Sequence, residues 1–272
     1  IYQPQIYRDN ISKGKMDYLK DKVQLYDSLK SIMQGHGSTD AIVQIQNDLA
    51  DIEHHMLHFL ENHDEQRIAS PDFAGDARKG MPAMVVSATI GSSPTMLYFG
   101  QHVGEPGAEE PGFGAPTRTS IYDYIGVPKH QQWMNLGKFD EAALSEEEKA
   151  LNDYYTTLLN FTKYSLALTG EYREIHSFNR EPARWYNDRV FSFARWKGRD
   201  RLIIVSNFDA SEIYGFELGI PGELVSEWNL EDGTYSLRDQ LSGHSLELHV
   251  GEGKAEVRID LEPLQSFILQ LP

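Results

Sequence analysis

The stretch Met56-Leu-His-Phe-Leu-Glu-Asn-His-Asp-Glu-Gln-Arg-Ile-Ala-Ser70 decides how the rest of the chain is read. An apolar run, Met56 to Leu60, stops at five polar or charged residues, Glu61 to Glu65, and Gln66 and Arg67 follow. This pattern predicts a buried strand that delivers functional groups at its C-terminal end, where parallel α/β sheets and barrels keep their chemistry. His63 and Asp64 leave the strand side by side, with Arg67 three residues further on. An acid beside an imidazole is a poor packing unit. Together they suit a polyol, because a carboxylate and an imidazole can hold vicinal hydroxyls between them.

Outward from this strand, helical and strand patterns alternate. Met16 to Leu19 reads as a short strand. Lys22 to Met33 carries Val23, Tyr26, Leu29, Ile32 and Met33 at helical spacing, closed by Gly35-His-Gly37. Ser38 or Thr39 caps the next helix, whose apolar face is Ile42, Ile45, Leu49 and Ile52. After Arg67 the sequence predicts a helix over Asp76 to Thr89, with Pro82 in its first turns, then a buried strand over Thr95 to Phe99. Helix, strand, helix, strand is the order of a parallel sheet. Gly100 to Pro128 is a long loop rich in Gly and Pro. Its glycines lack a phosphate-cradle spacing, and Glu105, Glu109 and Glu110 would repel a phosphate. Tyr122 and Tyr124 are either sugar-stacking groups at the rim of a cleft or packing residues.

Ser145-Glu-Glu-Glu148 is a capping box opening a helix with Leu151, Tyr154, Tyr155, Leu158, Leu159 and Leu166 on one side, up to Gly170. Short strands at regular spacing follow: Asp188 to Trp196, Leu202 to Val205, Ile213 to Leu218, Ser245 to Val250, Ala255 to Leu261 and Ser266 to Leu271. With Gly and Asp turns between them they predict an antiparallel β-sandwich. The expected division is an α/β part over 1–168 and an all-β part over 169–272.

The 272 residues have a net charge of −16 and no Lys/Arg-rich block, which argues against a nucleic-acid partner and leaves neutral glycans open. No apolar run of 18 residues occurs, so no membrane span is expected. The absence of cysteine excludes disulfides and thiolate metal sites. The chain opens at Ile1 without Met or a signal-like region, so the natural N-terminus is expected upstream. No compartment is assigned.

Phe59-Leu-Glu-Asn-His-Asp64 resembles the fourth signature region of the α-amylase superfamily, glycoside hydrolase family 13, with its pattern Phe-x-x-Asn-His-Asp. Gly91-Ser-Ser-Pro-Thr-Met-Leu-Tyr-Phe-Gly-Gln101 is similar to that family's eighth barrel strand, and it follows at the expected distance. Ile-Tyr-x-Pro-x-x-Tyr-Arg8 resembles the segment after the fifth strand, and Leu261 to Leu269 the last strands of the family's C-terminal β-domain. The resemblance is strong over 56–101 and loose elsewhere. It implies the C-terminal part of a TIM (β/α)8 barrel over 1–168 and a β-sandwich domain over 169–272. It also implies an α-glucan or oligosaccharide substrate, a retaining mechanism and no cofactor. Asp64 then matches the carboxylate that holds ring hydroxyls and stabilises positive charge at the reacting sugar, and His63 a partner on the same sugar. Asn62 and Arg67 join them as substrate-binding candidates.

Retaining glycosidases need two carboxyl groups about 5–5.5 Å apart. In this family they lie in fourth- and fifth-strand motifs that these residues lack. The resemblance therefore implies a catalytically incomplete chain whose partner is a missing N-terminal part of the same protein. A segment with open barrel edges is expected to associate. Other readings attach to the same residues. His54, His55, His58 and His63 form a histidine-rich patch, but His54 and His58 would stand roughly 13 Å apart on a strand, too far for one metal ion. Glu61 and Glu65 are acid/base candidates or simply solvated or paired acids, and Arg67 is a salt-bridge partner for a nearby acid or a substrate ligand. A non-catalytic carbohydrate-binding or interaction protein built from the same parts is the alternative function.

Overall fold

A computed structural model describes residues 4–20, 25–107, 127–180 and 185–272. Tyr122 and Tyr124 lie outside the described residues. The N-terminal part runs α1 (Pro4–Ser12), β1 (Leu19–Lys20), α2 (Asp27–Met33), α3 (Asp40–Leu49), β2 (Met56–Phe59), α4 (Gly80–Thr89), β3 (Thr95–Met96), α5 (Pro128–Met134) and α6 (Glu146–Tyr164). Its sheet has the order β1-β2-β3. Leu19 is in register with Met56, His58 with Thr95, and both pairings are parallel.

The predicted strand over Thr95 to Phe99 forms a ladder only at Thr95 and Met96. Beyond them the chain turns, with Gln101 N donating to Tyr98 O (3.0 Å) and Gly100 at φ 82°. A side chain at Gly100 would also meet Glu105 Cβ at 2.8 Å, so the turn needs glycine twice over. The capping box forms with both arms: Ser145 Oγ accepts from Glu148 N (3.3 Å) and Glu148 Oε2 from Ser145 N (2.8 Å). The helix it opens ends at Tyr164, so Leu166 falls outside it and is exposed.

All-β structure follows: β4 (Glu171–Glu174), α7 (His176–Asn179), β5 (Val190–Lys197), β6 (Asp200–Asn207), β7 (Tyr214–Ile220), α8 (Gly222–Glu227), β8 (Gly233–Asp239), β9 (Ser245–Gly251), β10 (Lys254–Leu261) and β11 (Ser266–Leu271). These strands form one eight-stranded sheet, β4-β5-β6-β11-β8-β9-β10-β7, and its pairings are antiparallel. Strand alternation gives β5, β6 and β11 two buried faces. Phe191, Phe193, Leu202, Ile204 and Ile268 share a core with Ala83–Val86 of α4 and Leu151, Tyr155 and Leu158 of α6. Ala194, Ile203, Val205 and Leu269 on the other face meet Leu218, Leu248, Val257 and Ile259. The sandwich is thus a single sheet curled over its own core. Helix α4 has no polar face because it packs against both β2 and the curled sheet.

Polar side chains tie the two parts together. Thr39, a candidate cap, instead turns its hydroxyl to Asp188 O (3.0 Å) and Val190 O (2.8 Å), and Ser38 Oγ accepts from Asp40 N (3.1 Å). Asp40 Oδ1 accepts from His176 Nε2 (2.7 Å) and Arg180 Nε (2.8 Å). His176 Nδ1 lies 2.9 Å from Tyr186 Oη, which lies 3.0 Å from Ser192 Oγ. A carboxylate only accepts, so Nε2 carries the imidazole proton. While the imidazole is neutral, Nδ1 accepts from Tyr186, and Ser192 donates to Tyr186. Protonating Nδ1 would make it a donor and reverse both hydroxyls.

Burial pushes the His176 pKa down, against the pull of Asp40, while Glu174 and Arg180 also act on it. Arg180, and then His176, hold the Asp40 carboxyl well below the usual range. Both groups therefore bind protons more readily in the unfolded chain. Stability is complete above the unfolded histidine value of about 6.5 and is lost as pH falls below it, with Asp40 adding its loss below about 4. The melting temperature is expected to fall between pH 7 and 5, and His176→Gln to flatten that slope. Parallel slopes for variant and parent would refute the assignment.

Candidate active site

The apolar run of β2 ends where Tyr26, preceding α2, stacks on Phe59 with ring centroids 4.8 Å apart. Below it, Glu53 accepts from Ser92 N (3.1 Å) and occupies the space beside Gly91, where a Cβ would stand 1.5 Å from Oε1. Gly91 thus lets the chain entering β3 pass against the turn that precedes β2. The loop leaving β2 is then fixed at four residues. Glu61 Oε2 accepts from Arg67 Nη1 (2.9 Å) and Oε1 from Ile68 N (2.8 Å). Asn62 Oδ1 accepts from Asp64 N (2.7 Å) and Glu65 N (3.0 Å), an Asx turn. Glu65 Oε2 accepts from Tyr26 Oη and Lys30 Nζ, each at 3.2 Å. Arg67 Nη1 also donates to Phe99 O (2.6 Å), in the loop after β3.

Between these anchors His63 and Asp64 face outward side by side, and Gln66 is half-buried. The His63 side chain is 38% exposed and that of Asp64 52%, with Nε2 and Oδ2 3.5 Å apart. Asn62 and Arg67 stand behind this pair rather than beside it: Asn62 is buried, and Arg67 and Glu61 are 0% and 2% exposed. Burial pushes the Glu61 carboxyl up, and the Arg67 charge opposes that shift. Burial and the neighbouring Glu65 push the Tyr26 phenol up, so it stays protonated and can donate to Glu65.

The histidine patch disperses along β2. His54 and His55 lie side by side below the strand, His55 Nδ1 meets Asp17 O (2.7 Å), and buried His58 meets Ser87 O (3.0 Å). Among the described residues no three His, Cys, Asp or Glu side chains are grouped to hold a metal, and no helix is long and apolar enough to cross a membrane.

Glu105 was readable in the sequence only as an acid unfavourable to phosphate. It is buried, and it accepts from Gly107 N (3.0 Å), Lys129 N (2.9 Å) and His130 N (3.4 Å), joining the loop after β3 to α5. No local signal marks that role. His102 in the same loop packs edge-on against Trp133, and burial lowers its pKa to about 4, so its ring stays neutral. A cleft of ≈ 740 Å³ lies between Asp76–Arg78 and α6, and His63 and Asp64 do not line it. Its main charges are paired within it, Arg78 with Asp76 (2.7 Å) and Lys129 with Glu148 (3.1 Å). The exposed pair at the end of β2 is therefore the better candidate for chemistry.

Three parallel strands with intervening helices, a carboxylate and an imidazole at their C-terminal end, and an appended antiparallel sheet define the end of a (β/α) barrel with a β-domain. Solved α-amylases and glucanotransferases share this fold. AmyP in complex with maltose matches at TM-score 0.64 and 19% identity, over 93% of this chain and 50% of that one. Gamma-CGTase from alkalophilic Bacillus clarkii matches at TM-score 0.65 and 16% identity, over 99% and 35%. The α-amylase from Geobacillus thermoleovorans complexed with acarbose matches at TM-score 0.62 and 14% identity, over 99% and 51%. The chain thus spans about half the length, or less, of these structures. No family model and no curated protein sequence matches it.

Proposed function

We propose that this chain is the C-terminal portion of an α-amylase-like glycoside hydrolase or transglycosylase that acts on α-glucans with retention. The observation that carries this reading is the loop after β2, which buries Glu61, Asn62 and Arg67 and turns His63 and Asp64 outward side by side at the end of a barrel strand. Asp64 holds adjacent hydroxyls of the reacting sugar, and its charge answers the positive charge that develops at the ring in the oxocarbenium-like transition state. His63 holds the same sugar. Nucleophile and general acid stand on earlier barrel strands, so the chain alone is catalytically incomplete.

The outer edges of β1 and β3 pair with further strands of the same barrel. In support, neither edge has a partner strand among the described residues, and Ile6, Met16, Tyr18 and Phe99 are exposed there or nearby.

The test is to incubate the complete protein with maltooligosaccharides and follow anomeric protons by NMR. An α-anomer as the first product is expected. A β-anomer first would refute retention. Calorimetric binding without bond cleavage would favour the non-catalytic carbohydrate-binding alternative, and neither binding nor cleavage would refute both.

A further inference from the structure

Arg67 carries a charge in a place where charge is costly. Its guanidinium is fully buried, with its carbon 4.4 Å from the Tyr98 ring centroid and 4.7 Å from that of Phe99. Nη1 bonds Glu61 and the Phe99 carbonyl, while Nε and Nη2 are buried without a hydrogen-bond partner. A buried ion pair with unsatisfied N–H groups is weak support for stability, and well-packed apolar side chains often do as well or better. What such chains cannot reproduce is the link from one loop to another. Glu61 is three residues before Asp64 and Arg67 three after it, and Phe99 belongs to the loop following β3.

We infer that Arg67 is a positioning residue that, through Glu61 and the Phe99 carbonyl, fixes where His63 and Asp64 stand relative to the loop after β3. The inference deepens the function proposed above and rests on it for its kinetic consequence. The loop holding the exposed pair is closed at its base by the Glu61–Arg67 bridge and bolted sideways to Phe99, whose ring is partly exposed and edges onto His130. Glu105 extends the same fixation to α5. A shift of the loop would leave Asp64 chemically intact but misplaced against a sugar bound between the two loops. A misplacement near 1 Å costs on the order of a hundredfold in rate.

The deciding variant in the complete protein is Glu61→Gln/Arg67→Met. The introduced amide can still accept from Ile68 N through its oxygen, and no buried charge is left unpaired, so the fold should persist. Arg67→Lys serves as the conservative rescue, since it keeps a charge that reaches Glu61. For the double variant the expected result is a folded protein melting at most a few degrees below the parent, since the Phe99 carbonyl loses one donor. Its kcat on an α-glucan should fall about ten- to a hundredfold while KM changes less than about threefold, with partial recovery in Arg67→Lys. The His63 imidazole resonance, recorded without sugar, should shift in the double variant.

A folded double variant with parental kcat and an unmoved His63 resonance would overturn the inference. So would a double variant that loses only melting temperature. If the parent turns over no α-glucan, the proposed function fails and the His63 resonance alone decides this inference. An unmoved resonance refutes it and a shifted one supports it.

Discussion

Replacing Asp64 with Asn is expected to lower turnover of an α-glucan by on the order of a hundred- to a thousandfold in the complete protein, about 2.7–4 kcal/mol of transition-state stabilisation. Asn keeps the size of the side chain and the backbone N–H of residue 64, which closes the Asx turn onto Asn62 Oδ1. What it removes is the negative charge. A neutral amide can still hold sugar hydroxyls in the ground state. Only the carboxylate gains strength as the ring becomes cationic, and only interactions that strengthen in this way raise the rate of the chemical step. The loss should therefore appear in kcat more than in KM.

Because the Asp64 side chain is about half exposed and outside the core, the melting temperature should barely move. His63→Ala should cost less and act mainly on KM, since in the proposed site its imidazole would hold sugar without answering the developing charge. Steady-state kinetics and thermal melts on the three proteins make the comparison. Near-parental turnover by Asp64→Asn at an unchanged melting temperature would remove Asp64 from the site.

Much of this arrangement is legible in the sequence, and the division between what is and is not follows the range of the interactions. The Ser145–Glu148 capping box and the β5–β6 hairpin rest on neighbours within a few residues, and β2 shows as an apolar run, so pattern and propensity reveal them. The outward pair His63 and Asp64 is legible for the same reason, as the polar end of an apolar run. Arg67 is different. Its residue type allows a ligand contact or an ion pair, and only the approach of Phe99, 32 positions away, makes it a buried bridge. Thr39 looks like a helix cap, but β5 and the residues preceding it, about 150 positions on, supply better acceptors for its hydroxyl. The apolar strands of the second half predict a sandwich. That one sheet curls to make both layers depends on register between distant strands, such as β7 with β10 and β6 with β11.

Arg195 is the strongest case of such a hidden role, and the largest effect on stability is expected there. It sits on β5, 2% exposed, and no salt bridge to an acid reaches it among the described residues. Its Nη1 donates to Ile90 O (2.7 Å), and its Nη2 to Leu168 O (2.5 Å) and Gly170 O (3.4 Å). Ile90 is the C-cap of α4, and Leu168 and Gly170 lie at the helical turn that leads into β4. Carbonyls at helix ends lack partners within the helix and carry partial negative charge, so a buried guanidinium can be held there without a carboxylate. Burial lowers the Arg195 pKa, yet a guanidinium does not give up its proton near neutral pH.

Arg195→Met fills much of the same volume but leaves the buried Ile90 and Leu168 carbonyls, and the half-buried Gly170 carbonyl, short of a donor. With each lost bond worth about 1–3 kcal/mol and some relaxation around the shorter side chain, a net loss of roughly 3–5 kcal/mol is expected. At about 2–4 °C per kcal/mol for a chain of this size, the melting temperature should fall by about 10 °C. Arg195→Lys keeps the charge but has too few donors in the right fork to serve all three carbonyls, so it should fall between Met and the parent. Thermal and urea melts of the three proteins, read together, make the test. A melting temperature for Arg195→Met within about 2 °C of the parent would mean that the curled sheet and the barrel segment hold together without this bridge, by their shared apolar core alone.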